Sequence, residues 1–547
     1  MHKYFARRPW NVFNELISHY SSPAEIVLDS FCGGGVTIVE ALKLGRKAVG
    51  VDLNPIATYV TEMECKPVRV EALHDNFHEL RDAVGKKISS LYTTKCPSCR
   101  SPAIADWFEW DEHTGEILRL KVDCTNCGSS KTTPATREDA QLAKKITNGF
   151  DEIIDKDKLW FPRTRIPPGD KTNSLLNQEI NFYSQLFTKR NLLALSYLHR
   201  EIGRLADREA GDFLQFAFSG SLKWASRQSH LRGHIVEGWA MHAYWIYPRS
   251  LEINVWNTFE RRLKATVRGK TYSNEHIGHF CKFAQNFSDL TNHSATCFIL
   301  NRSATKLPIP DNSIDAVITD PPYGGNVNYA ELSDYWYIWL SEGKTIPKRD
   351  EVIVNKTQRK TLKDYGELLS AVFKECYRVL KPHRFLVSTF NSRDLRVVAS
   401  FVTAASEAGF TLHPEGLLYQ PPIRPYTTTF HAMQIGAFVG DFIFTFVKEA
   451  MPPSTPAEED YELQDLKAKL GGLIDETVKG GITEPQLRER AYRVLIPFLA
   501  KHAQSNTAAT TEAVDFFENK MNKQDLFFRR LRRKITKTRI QAFSGKR

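Results

Sequence analysis

No apolar run in this chain of 547 residues approaches the roughly 20 residues that a membrane-crossing helix needs. The opening MHKYFARRPW carries basic residues with no apolar stretch behind them, so a signal peptide is not expected and a soluble, cytoplasmic protein is. Cysteine is sparse, nine in all, and unevenly spread, which argues against the disulfide framework of a small secreted domain. There is no internal repeat and no long low-complexity tract, so the organisation must come from domains. The length allows two to four of them, with ordinary globular values of 42% hydrophobic and 25% charged residues. A shortage of acid leaves a net charge of +11. That suits an anionic partner, nucleic acid being the commonest, although a basic surface without a specific partner gives the same number.

IVLD (26–29) reads as a short buried strand, SFCGGGVT as a glycine-rich turn, VTIVEALKLG as a helix closed by Gly45, and KAVGVDLNP (47–55) as a second strand ending in an acid and a turn. Strand, turn, helix, strand is a βαβ unit, so the expected fold class is α/β with a doubly wound, Rossmann-like parallel sheet. The pattern returns with CFIL and SIDAVITD as strands, ELLSAVFKECYRVLKP (367–382) as a helix and FLVSTF (385–390) as a strand. GFTLHPEGLLYQ and GAFVGDFIFTFVK suit a closing antiparallel pair. The expected organisation is a split domain, 1–65 and 296–450, with an insertion of two parts: 66–140 around paired cysteines and a mostly helical 141–295. A linker is expected at 451–464 and a helical, basic region at 465–547.

Gly33, Gly34 and Gly35 remove side chains where backbone must approach something closely. The helix after them aims free N–H groups and its positive dipole end at the same place. Asp29 ends the first strand and suits a cationic amino group; Asp52 ends the second and suits ribose hydroxyls. The spacing is not G-x-G-x-x-G, and an acid at the start of the turn would repel a pyrophosphate. Adenosine carrying a charged amino acid fits better, and that describes S-adenosylmethionine. A tight strand–helix connection with no ligand remains open on these residues alone.

ITDPPYGGNVNYAELSDYWYIWL (318–340) starts as a strand and stops at Asp320-Pro321-Pro322-Tyr323. Two prolines cannot donate to a central ladder, so the strand ends there. An exocyclic amine on a nucleobase is a poor nucleophile, because its lone pair is delocalised into the ring. A carboxylate and a rigid backbone carbonyl, each accepting one N–H, localise that pair and aim it. The tyrosine ring can stack on a base extruded from the duplex. A turn after a strand, with no such role, is the bland alternative.

DSFCGGGVT and TDPPY resemble the cofactor and catalytic motifs of amino-methyltransferases acting on DNA. The run YGGNVNYAELSDYWYIWL resembles adenine-specific DNA methylases that contain a zinc ribbon, over about residues 2–65 and 297–445. The resemblance implies Asp320, Pro321, Pro322 and Tyr323 as catalytic motif. It implies Asp29, Phe31, Gly33, Gly34, Gly35, Thr37, Asp52 and Asn54 as cofactor contacts, with Arg8, Pro9 and Trp10 completing the methionine pocket. Ser303 stands where that family often has an acid facing the cofactor adenine, and Ser30 replaces a common proline.

Cys96-Pro-Ser-Cys99 and Cys124-Thr-Asn-Cys127 are two C-x-x-C pairs, a strong signal for a closed tetrathiolate zinc site of structural role. Cys32 beside the glycines reads as packing. Methylation at cytosine C5 needs a cysteine nucleophile, commonly in Pro-Cys, and the chain has no such dipeptide. Tyr244, Trp245, Tyr247, Arg249, Trp256, Arg261 and Arg262 cluster in sequence and suit base stacking and phosphate contacts, or a core. His230, His234 and His242 read as structural. The last stretch, 526–547, holds nine Lys or Arg and suits phosphate backbone. The resulting expectation is methyl transfer from S-adenosylmethionine to adenine N6 in duplex DNA, with structural zinc. N4-cytosine methylation, RNA base methylation and a catalytically silent nucleic-acid binder are the alternatives, and no restriction or defence partner can be read from the chain.

Overall fold

The computed structural model describes residues 1–520 apart from 6, 393, 421–439, 449–461, 479–483 and 504–507. It divides into two compact units. The first is Met1–Ser303 with Val327–Glu351 and Asn355–Arg359; the second is Ala304–Asn326 with Val352–Val354 and Lys360–Arg547.

In the first unit, helix α1 (Trp10–Tyr20) precedes strand β1 (Ile26–Asp29), helix α2 (Val36–Lys43), strand β2 (Lys47–Asp52) and helix α3 (Pro55–Cys65). All four residues of β1 are buried, as are the first five of β2. That is why both read as unbroken apolar runs rather than as alternation. Asn54 caps α3, its Oδ1 accepting from the Ile56 N–H at 3.0 Å, with Pro55 at the first helical position. The insertion then opens in helix, Val70–Leu80 continuing to Ser90. Strands β3 (Thr93–Lys95), β4 (Pro102–Asp111), β5 (Glu116–Asp123) and β6 (Ser130–Pro134) follow. A small hairpin, β7 (His230–Arg232) with β8 (Ile235–Glu237), precedes β9 (Arg249–Ile253), which pairs with β4 and makes the ribbon sheet five-stranded and antiparallel. Strand β10 (Cys297–Asn301) returns to the parallel sheet beside β2, Cys297 opposite Ala48 and Asn301 opposite Asp52, while β1 flanks β2 on its other side.

Helices Lys189–Arg204, Arg208–Ala225 and Val255–Ser273 fill the rest of this unit. The aromatic helix Tyr329–Leu340 packs there too. Tyr335, Trp336 and Trp339 are fully buried, and Trp339 meets Phe218 edge-on at 5.5 Å. Tyr244 and Trp256, whose rings suited base stacking in the sequence, are core residues, whereas Trp245 is 48% exposed. The His230 ring stacks on Tyr247 at 3.8 Å.

In the second unit, β11 (Ile314–Thr319) runs parallel to β12 (Leu380–Phe390), and β12 is antiparallel to β14 (Asp441–Lys448), which is antiparallel to β13 (Phe410–Gln420). The closing antiparallel pair is therefore present. Helix Leu362–Val379 opens with a Thr361–Asp364 capping box. It ends three residues earlier than the sequence suggested, because Pro382 cannot sit in a helix interior and Leu380 already starts β12. Of the expected linker, 451–461 lies outside the described residues, and a helix begins at Leu463. The tail from 521 also lies outside them. Among the described residues no helix is long and apolar enough to cross a membrane.

Candidate functional site

The turn after β1 is built around two acids, Asp29 buried and Asp52 partly buried. Asp29 is 3% exposed; its Oδ2 accepts from the Thr37 hydroxyl at 2.6 Å and its Oδ1 from the Phe31 N–H at 3.1 Å. Asp52 ties the two strand ends together: Oδ2 accepts from the Gly33 N–H at 2.9 Å and Oδ1 from the Asn54 N–H at 2.8 Å. Burial pushes the Asp52 carboxyl up to about 7; the Asn54 and Gly33 N–H groups pull against this, and the Asp29 and Glu351 charges add to it. A desolvated carboxylate gains from further donors, and ribose hydroxyls are donors. Cys32 donates its N–H to the Val51 carbonyl at 2.9 Å, and burial pushes its thiol well up, which fits packing rather than nucleophilic attack.

The glycines make room for the chain itself. A Cβ on Gly34 would lie 3.1 Å from Arg7 Cγ and 3.2 Å from Tyr4 Cβ, and one on Gly35 only 2.8 Å from Thr61 Oγ1, at φ +77°. Tyr4 and Arg7 thus cover the turn. Arg7 donates to the Gly34 carbonyl at 3.0 Å and to Glu64 at 2.8 Å. Asn54 Nδ2 donates to the Tyr4 hydroxyl at 3.0 Å and to Ser333 Oγ at 2.7 Å. Sequence reasoning missed Tyr4 and Arg7 and named Arg8, Pro9 and Trp10. Pro9 is buried and caps α1, Arg8 is partly buried, and Trp10 is 61% exposed with Lys43 Nζ 4.9 Å over its ring. Ser303 lies partly buried just beyond β10.

In the second unit the four residues after β11 form a rigid corner. Asp320 Oδ1 accepts from the Tyr323 hydroxyl at 2.7 Å and from Thr389 Oγ1, at the end of β12, at 2.8 Å. Two hydroxyls on one oxygen fix the plane of the carboxylate. The Pro322 carbonyl accepts from the buried Tyr365 hydroxyl at 2.7 Å and from the Gly324 N–H at 3.2 Å. Both its acceptor positions are taken, so the carbonyl left to receive an amine hydrogen is that of Pro321. The Tyr323 ring meets Phe390 edge-on at 4.8 Å. Thr389 and Tyr365 were not found from sequence. Thr389 had one signal, its place at the carboxyl end of a parallel strand; Tyr365 had none.

The four paired cysteines converge. Their sulfurs lie within 4.8 Å of one another, with Cys96–Cys127 and Cys99–Cys124 each at 3.7 Å. A tetrahedron with metal–sulfur bonds of about 2.3 Å has edges of about 3.8 Å, so the spacing is compatible with zinc. Two matching knuckles produce it. Arg100 N donates to the Cys96 carbonyl and Gly128 N to the Cys124 carbonyl, with both residues at positive φ. The Ser98 N–H and Asn126 Nδ2 point at the sulfurs of Cys96 and Cys99 at 3.4 and 3.7 Å.

Residues 2–62 match the family model described as DNA methylase, N6_N4_Mtase. The chain is 20% identical over 412 residues to the Type II methyltransferase M.MjaII of Methanocaldococcus jannaschii, covering 69% of this chain and 67% of that one. It is 21% identical over 333 residues to the Type II methyltransferase M.MvaI of Kocuria varians, covering 60% and 53%. The chain therefore spans about two thirds and about half of these relatives' lengths. A solved structure, TTHA0409, a candidate DNA modification methylase of Thermus thermophilus, aligns at 15% identity over 30% of this chain and 57% of its own. Its TM-score of 0.16 is too low to bear on the fold. The chain is thus similar to DNA methyltransferases, over residues 2–62 in the family model and over 333 to 412 residues in these relatives.

Proposed function

We propose that this protein transfers a methyl group from S-adenosylmethionine to the exocyclic N6 of an adenine extruded from duplex DNA. The observation that carries the reading is the corner at Asp320: a carboxylate fixed by two hydroxyls beside a diproline whose second carbonyl is saturated and whose first is not. Asp320 and the Pro321 carbonyl would each accept one amine hydrogen, localising the lone pair for in-line attack, and the ring of Tyr323 would lie against the base. Asp320 would also take the proton released as the new C–N bond forms.

The residues of the first unit fit the cofactor, which supplies an electrophilic methyl on sulfur. Asp29 would take its amino group. Asp52, pushed up to about 7 by burial, would accept its ribose hydroxyls. A structural zinc at Cys96, Cys99, Cys124 and Cys127 would hold the ribbon; its closed ligand set leaves no position for water.

Incubation with methyl-labelled cofactor and duplex DNA, followed by nucleoside analysis, tests this. The expected product is N6-methyladenine, abolished by Asp320→Ala. Labelled N4-methylcytosine would move the reaction to the other base, and preferential competition by RNA would move it to the other polymer. Binding without transfer, unaltered by Asp320→Ala, would leave a silent nucleic-acid binder.

A further inference from the structure

A hollow on the first unit is lined by His2, Lys3, Lys223, Trp224, Arg262 and Trp336. Its polar atoms are unusually ill supplied. Both ring nitrogens of His2, the Nε of Arg262 and the Nε1 of Trp336 are buried without a hydrogen-bond partner. His2 and Trp336 are only 2% and 1% exposed. Burial lowers His2 to about 3 and keeps it neutral, so one of its nitrogens is a donor. That nitrogen, Arg262 Nε and Trp336 Nε1 are buried donors without partners, and three of them on one cavity call for an acceptor.

The charge around them has one sign. Among the described residues, Lys3, Lys223 and Arg262 have no acidic partner within ion-pair distance. Glu237, the one acid whose field favours charged Lys223, is engaged by Arg232 at 2.8 Å. Burial, with Lys3 and Arg262 close by, lowers Lys223 to about 8. Burial and the neighbouring Arg261 and Arg268 lower Arg262 in the same sense. Crowded, desolvated cations of this kind are relieved by an anion. The enclosed part has room for about 10 Å³, one oxygen atom's worth, so neither a base nor a whole phosphate enters.

We infer that this hollow is an oxyanion seat: it receives one oxygen of a phosphate group, with Lys223, Arg262 and Lys3 around the mouth and His2 and Trp336 at the floor. The phosphate is either a DNA backbone diester, which rests on the function proposed above, or free phosphate.

The experiment has two arms, run on the full chain with the Lys223→Gln/Arg262→Gln double variant and with Lys3→Gln, whose side chain is exposed and carries little folding risk. In the first, inorganic phosphate is titrated calorimetrically. At least tenfold weaker binding to the double variant and a smaller loss for Lys3→Gln are expected. In the second, duplex affinity is measured against salt. A backbone diester predicts a slope of log K against log salt shallower by about 0.9 for each phosphate that the variant no longer neutralises, with the same loss on every sequence. A lost phosphate response with an unchanged duplex slope assigns free phosphate as the source. Phosphate binding and duplex slope both equal to wild type in both variants, at native melting temperature, would overturn the inference. Methyl transfer by the wild type is read separately, so failure of the enzymatic reading leaves the phosphate arm intact.

Discussion

Asp320 and Asp52 both stand at the carboxyl ends of strands, but their surroundings differ. Asp320 is held by hydroxyls that orient it. Asp52 is partly buried with two N–H donors, and desolvation holds its carboxyl near 7, above the ordinary 3.8. A carboxyl raised on folding contributes stability that is full below its unfolded value and is lost as pH rises through its folded one. Wild-type melting temperature should therefore fall between about pH 4 and pH 7 more steeply than that of Asp52→Asn. Accepting ribose hydroxyls needs the ionised acid, so cofactor affinity should weaken below about pH 7 and the variant's profile should be flat. Calorimetric titration across that window checks both. At the corner, Tyr365→Phe removes a buried donor to the Pro322 carbonyl. It should cost about 1–3 kcal/mol of stability and lower kcat with KM for DNA nearly unchanged. Thr389→Val should lower kcat by about tenfold to a hundredfold through a freed carboxylate, without the stability loss.

Among the elements, the parallel strands were the most legible, because burial on both faces leaves a continuous apolar signal. The aromatic helix Tyr329–Leu340 was legible as a helix-forming run next to the corner, but not as core of the first unit. Its burial depends on Phe187 and Phe218, which lie more than a hundred residues earlier. Tyr4 and Arg7 were illegible for the same reason: a contact with Gly34 across 27 residues leaves no periodic trace. The cysteine pairs were legible from spacing alone, since four thiolates at that interval have few other uses. Chelation should release one zinc per chain and lower the melting temperature, and Cys124→Ser should do the same without chelator, both followed by metal analysis and calorimetry. Gly35→Ala meets Thr61 at 2.8 Å in left-handed backbone and should destabilise by about 1–3 kcal/mol in denaturant titration.

For the whole molecule, the charge of +11 is not evenly carried: nine of the 74 Lys and Arg sit in residues 526–547. Removing residues 521–547 should weaken duplex binding on all sequences alike and flatten its salt dependence, with single-turnover methyl transfer at saturating DNA unaltered. The pairing of β2 with β10 has a different reach. Asn301 meets Asp52 at a separation of 249 positions, the whole insertion lying between two neighbouring strands. During synthesis at about 5–20 residues per second, β2 would leave the ribosome roughly 10–50 s before its partner. Throughout that interval the apolar edge of β2 that β10 will cover has no strand beside it.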